Sequence, residues 1–198
     1  MQNELKELKD MSLAELWQRF PIVLRAHNPS YSVWCNEEKI SLVRVLGPHT
    51  VCRISHIGST AVAGLLAKPV VDILLEYGGE DDMAALSNLL QGHGWVEMDC
   101  DAANGTLDLC KGYTPSGLQE RVFHLHIKPE GDWNELYFRD YLRQHPDVAR
   151  QYEELKSDLK KQFEHDRDAY TDGKSAFILR YTQKAREEFP GRYSSGGE

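Results

Sequence analysis

The stretch His56–Glu76, HIGSTAVAGLLAKPVVDILLE, decides how the rest of this chain is read. It opens on a turn of small residues, Gly58-Ser59-Thr60, passes through Lys68-Pro69, and enters the apolar run Val70–Leu75, which Asp72 interrupts. An apolar run of this length, nearly continuous, reads as a strand buried on both faces. Just upstream, Val51, Arg53, Ser55 and Ile57 alternate with Cys52, Ile54 and His56, the period-two pattern of another strand. The Gly-Ser turn therefore leaves a strand, and such a turn offers successive backbone N–H groups and a hydroxyl to an anion. A plain turn capping a short helix explains the same three residues.

Asp72 is the residue in this stretch most in need of a partner. A carboxylate inside an apolar run is costly unless it meets a cation, a donor or a metal. Glu76 shares its strand face but lies roughly 13 Å away at ~3.3 Å per residue, too far to hold the same ion. Leu74 stands between them, so Glu76 reads as a strand-end charge. Lys68 is placed to bring an ammonium near a phosphate, or is simply solvated beside a strand-starting proline.

Further along, His124 and His126 in VFHLHIKP share one strand face about 6.6 Å apart, a spacing at which two imidazoles converge on one metal. The alternative is a pair of histidines hydrogen-bonded within or beside the core, and His56 adds to the metal reading only if its strand brings it alongside. In FRDYLR, Arg139 and Arg143 lie four apart on one helical face and can fork a phosphate or carboxylate, or pair with Asp140 and Asp147. Trp133 reads either as a stacking platform or as a buried aromatic at a helix start.

Working outward, residues 1–46 read as helices, with Leu13, Leu16 and Phe20 and then Ile40, Val43 and Leu46 at helical spacing, ended by Gly47-Pro48. DDMAALSNLLQGHG is helix-like and precedes a strand around Trp95–Met98. Thr106–Tyr113 and Arg121–Ile127 flank the turn-rich TPSGLQ, as in a hairpin. Asp147–Phe163 is an amphipathic helix with Val148, Tyr152, Leu155, Leu159 and Phe163 on one face, and Ser175–Phe189 repeats the pattern. The expected organisation is one α+β domain over residues 1–190: a helical segment 1–47, a mixed-sheet core 50–128 and C-terminal helices 132–189, followed by a tail at 191–198.

Composition sets outer limits. A formal net charge of -8 over 198 residues argues against duplex nucleic acid as partner, because neutralising phosphates needs a concentrated basic face. No apolar run approaches the ~18 residues of a membrane span, and the charged, helical MQNELKELKDMSLAELWQRF is unlike a signal sequence, so a cytoplasmic location is expected. Cys35, Cys52, Cys100 and Cys110 form no C-x-x-C pair and read as packed thiols.

The strings H-I-G-S-T-A-V-x-G-L-x-x-K-P-V-V-D-I, H-L-H-I, F-R-D-Y-L-R-x-H-P, Y-x-x-L-K and Y-x-x-x-K-x-x-F-I together resemble the GrpB family, over roughly residues 29–188. That family is a branch of the nucleotidyltransferase superfamily, also found fused to dephospho-coenzyme A kinase. The resemblance implies a polymerase-beta-like core: a short mixed sheet flanked by helices, with Gly58, Ser59 and Thr60 facing the phosphates of a nucleotide. It implies Asp72 as the first acid of a D-x-D pair that holds magnesium or manganese. Leu74 departs from the second acid, and His124 and His126 stand where a later carboxylate is expected, which turns the metal preference toward zinc or another transition ion.

Three readings follow. In the first, a nucleotidyltransferase-like enzyme binds a nucleotide or other phosphate-containing ligand, with Asp72 and Lys68 catalytic and Arg139 and Arg143 assisting. A second makes the chain a non-catalytic ligand-binding or accessory module. The third is a single-metal site of Asp72, His124 and His126 with a hydrolytic or structural role.

Overall fold

The structure is a computed structural model that describes residues 8–78 and 82–194. A short 3-10 turn precedes α1 (Leu13–Arg19) and α2 (Ser30–Leu46). Then follow β1 (Val51–Ile57), a 3-10 turn at Ser59–Ala61, β2 (Val71–Tyr77), α3 (Met83–Gln91), β3 (Val96–Asp101), β4 (Thr106–Thr114) and β5 (Gly117–Pro129). Three helices close the described chain: α4 (Asn134–Gln144), α5 (Pro146–Phe163) and α6 (Arg167–Glu188). The expected α+β architecture is present, a mixed sheet flanked by helices. Among the described residues no helix is long and apolar enough to cross a membrane.

Several ends are set by local chemistry. Ser12 and Glu15 form a reciprocal capping box at the start of α1. Asp82 caps α3 and Asp166 caps α6, each accepting a backbone N–H of the first turn. Gly47, at φ 85°, ends α2 in a conformation that side chains disfavour.

The five strands lie in the order β1-β2-β5-β4-β3. The central pair β2–β5 is parallel, with Asp72 opposite His124 and Leu74 opposite His126, and the other pairings are antiparallel. Strand alternation then sorts the side chains. Val71, Ile73, Leu75, Leu107, Leu109, Phe123, Leu125 and Ile127 build one core with α2 and α3. Asp72, Leu74, Glu76, His124 and His126 sit at the alternate positions. On that side Leu74 packs with Ile57 and Leu136, while α4, α5 and α6 share an aromatic-rich cluster around Tyr137, Tyr141, Tyr152 and Tyr181.

The structure revises parts of the sequence reading. The N-terminal segment is not helical throughout: residues 20–29 are irregular but for one bridge at Arg25, and form a strap. In it the Ile22 N–H donates to the Glu164 carbonyl at 2.8 Å, Arg25 pairs with Ala67, and Ile22 packs with Leu159 and Tyr170. The loop between β4 and β5 shrinks to Pro115-Ser116. The last helix begins at Arg167 instead of Ser175, because Gly173 does not interrupt it. A Cβ at Gly173 would lie 2.4 Å from Leu159 Cδ2, so the glycine serves the close contact of α6 with α5. Residues 1–7 of the expected helical segment, Asp81 and the tail beyond residue 194 lie outside the described residues.

Candidate functional site

The parallel β2–β5 pair brings Asp72, His124 and His126 together. One ligand atom from each lies within 4.8 Å of the other two. His124 Nδ1 stands 3.3 Å from Asp72 Oδ1, while its Nε2 meets the Tyr113 hydroxyl at 2.8 Å. His126 Nδ1 contacts Asp108 Oδ1 at 2.7 Å, which leaves its Nε2 free. Asp108 thus orients His126 as a carboxylate orients a metal-binding histidine, whereas both nitrogens of His124 have a partner, Tyr113 at Nε2 and Asp72 at Nδ1.

Burial and charge pull on these groups in opposite directions. Burial favours a neutral Asp72, but the bond to His124 and the nearby His126 and Lys68 outweigh it and lower its pKa. Burial also dominates at His124 and lowers its pKa despite Asp72. At His126 burial is outweighed by the Asp108 contact and by the charges of Asp72 and Glu135, so its pKa rises.

The turn after β1 fits closely against Asp72. Gly58 takes φ 69°, and a Cβ there would fall 2.2 Å from Asp72 Oδ2, so both backbone conformation and space require glycine. Ser59 faces the cavity, and its Oγ accepts from Lys156 Nζ at 3.1 Å. Thr60 borders the same space, but its hydroxyl donates to the Val70 carbonyl and meets His56 Nε2 at 3.0 Å. His56 itself pairs in register with Ile73, so it is on the other sheet face from Asp72 and outside the metal-ligand trio.

Gly58, Ser59, Thr60, Asp72, His124 and His126 line a cavity of about 520 Å³ whose opposite wall is basic. Lys68 enters from the loop before β2, and Arg167, Tyr170, Thr171 and Lys174 come from one face of α6. The ammonium groups of Lys68 and Lys174 stand 5.9 and 4.6 Å from the Tyr170 ring centre. Among the described residues, no carboxylate forms an ion pair with Lys68, Arg167 or Lys174. Burial, with repulsion from Arg167 and Lys174, pulls the Lys68 pKa down to about 8. Lys174 is lowered chiefly by burial too.

Arg139 and Arg143 do not reach this cavity. Arg139 donates to the His56 carbonyl, Tyr193 and Asp140, and Arg143 donates twice to the Ala61 carbonyl. They brace the back of the Gly-Ser turn, and their donors are largely used by the protein itself. Glu76 is also different from its sequence reading. It is fully buried, forks with Arg53 at 2.5 and 2.6 Å, and accepts from the Gly131 N–H. Trp133 stands at the N-cap position of α4 without a side-chain cap bond, and its indole N–H donates instead to the Pro129 carbonyl of β5.

The residues that sequence reasoning missed are the cations of the helical wall. Lys156 and Lys174 each follow a tyrosine by four positions, in Y-x-x-L-K and Y-x-x-x-K, and Arg167, Tyr170, Thr171 and Lys174 recur at one-face helical spacing. That periodicity was the available signal.

Comparison with known proteins agrees on one family. A family model described as "GrpB protein" matches residues 21–184. The "Glutamate-rich protein GrpB" of Alkalihalophilus pseudofirmus is 31% identical over 161 residues, 79% of this chain and 91% of that protein. The "UPF0157 protein YqkA" of Bacillus subtilis is 28% identical over 190 residues, 94% of this chain, and the chain spans only about half of that relative, 54%. Among solved structures, a conserved protein GrpB from Enterococcus faecalis superposes with a TM-score of 0.74 at 27% identity, covering 84% of this chain and 99% of that one.

Proposed function

This chain belongs to the GrpB family, and from that premise we propose that it binds a small phosphate-bearing ligand beside one divalent metal ion. The observation that carries the reading is a single cavity with two chemically opposite walls. One wall offers Asp72, His124 and His126; the other offers Lys68, Arg167 and Lys174 with no ion pair among the described residues. Three like charges gathered away from water repel one another, and an anion relieves that repulsion.

The donor set fits a metal. Modest side-chain rotations close the trio on one ion, whose bonds to nitrogen and oxygen run at about 2.0–2.2 Å. Two imidazoles and one carboxylate suit zinc, iron or a similar transition ion better than magnesium, which prefers all-oxygen surroundings. When bound there, such an ion supplies Lewis acidity at a phosphoryl oxygen. Leu74, fully buried against Ile57 and Leu136, offers no second carboxylate for a two-magnesium nucleotidyl transfer. Gly58 and Ser59 beside Asp72 favour the nucleotide form of the reading.

Purified protein should carry close to one transition-metal ion per chain by elemental analysis, and His126→Ala should carry far less. Inorganic phosphate, pyrophosphate or a nucleoside triphosphate should raise the melting temperature, and Lys174→Ala should blunt that rise. Metal-free protein whose melting is indifferent to all three anions would falsify the reading.

A further inference from the structure

We propose that Ser59 and Lys156 form a nucleophile and base pair, in which the Lys156 amine removes the Ser59 hydroxyl proton as Ser59 Oγ attacks the phosphorus of a bound phosphate ester. The pair stands on geometry. Lys156 Nζ lies 3.1 Å from Ser59 Oγ, within the reach a base needs for the proton it abstracts. A second bond, to the Leu66 carbonyl, and the Tyr152 ring, whose centre is 4.7 Å away, fix the ammonium end in place. Ser59 itself is half-buried and faces the cavity.

The surroundings favour a neutral amine. Lys156 keeps only 2% of its surface exposed. Its one acidic neighbour on α5, Glu153, is turned to the Leu66 N–H at 2.5 Å and forms no ion pair with it. From α6 it faces Lys174, another cation. Burial is the leading influence and brings the Lys156 pKa down to about 7, with Glu153 opposing and Lys174 assisting. A desolvated lysine held against a serine hydroxyl is a recognised way to activate that hydroxyl.

The chemical step conserves atoms and charge. The Ser59 Oγ–P bond forms, the ester P–O bond breaks, and the Ser59 proton passes through Lys156 and cavity water to the departing alkoxide, leaving phosphoserine and an alcohol. The phosphate ester as substrate rests on the function proposed above; the pair itself does not.

A small uncharged alkyl phosphonofluoridate tests the pair without calling on the cations. Ser59 Oγ bonds to its phosphorus, the P–F bond breaks, fluoride leaves, and Lys156 takes the proton. One adduct per chain is expected, located at Ser59 by peptide mass mapping. Its rate should rise about tenfold from pH 6 to pH 8, following the neutral fraction of an amine with pKa about 7. Lys156→Arg, which keeps donors but stays protonated and so accepts no proton, and Lys156→Met should each slow labelling at least tenfold while circular dichroism reports a folded chain. Absence of an adduct at Ser59, a rate flat across that pH range, or full-speed labelling of either folded variant overturns the proposal. Ser59 labelling in a chain that inorganic phosphate does not stabilise supports the pair and removes only the phosphate-ligand reading.

Discussion

Gly58 shows how tightly a single position is fixed. Its φ of 69° and the 2.2 Å that would separate a Cβ from Asp72 Oδ2 leave no room for a side chain. Gly58→Ala should lower stability by about 1–3 kcal/mol in chemical denaturation and cut metal retention, since the carboxylate must move. Unchanged metal content in a folded Gly58→Ala chain would separate the turn from the trio. Glu76 was legible as an acid on a strand but not as a buried one, because its partner Arg53 is on the neighbouring strand and only the β1–β2 register brings them together. Glu76→Gln should cost roughly 2–3 kcal/mol, less than the ~3–5 of a pair wholly out of water, since Arg53 keeps 32% of its side chain exposed.

The strands were legible element by element. Period-two alternation in β1 and the apolar run of β2 declare themselves within the local sequence, and H-x-H places two imidazoles on one face wherever β5 pairs. The helical wall was not legible in the same way. Charged residues at helical spacing look alike whether they face water or a cavity, and only the packing of α6 on α4 and α5 decides between the two. Gly173 lies inside α6 where its lack of a side chain admits the neighbouring Leu159, a contact that the local sequence does not announce. Asp166, which caps α6 by accepting from the Ala169 N–H at 2.9 Å, stands next to Arg167. Asp166→Ala should cost about 1 kcal/mol and loosen the first turn that carries Arg167 and Tyr170. The melting shift given by inorganic phosphate should shrink with it, and an undiminished shift would show that this turn does not help to hold the anion.

Over the whole molecule, the buried lysines set a pH dependence with a definite sign. Lys156 has a pKa of about 7 in the folded chain against an ordinary value of 10.5. Between those values the unfolded chain holds a proton that the folded chain has released, so stability rises with pH, by at most about 1.4 kcal/mol per unit for one such group. Below about pH 7 both states are protonated and this contribution stops changing. Lys68, lowered to about 8, adds the same trend from a higher starting point. Denaturation of wild type and Lys156→Met across pH 7 to 9 should therefore show a shallower slope in the variant, and equal slopes would mean that Lys156 enters the fold already balanced.

The strap at residues 20–29 ties the beginning of the chain to its end. Ile22 rests on Leu159 and Tyr170, its N–H meets the Glu164 carbonyl, and Arg25 pairs with the loop that delivers Lys68. Arg25 meets its partner Ala67 early in the chain, whereas Ile22 finds Leu159, Glu164 and Tyr170 only at α5 and α6, the same late segment that supplies Arg167 and Lys174 to the basic wall.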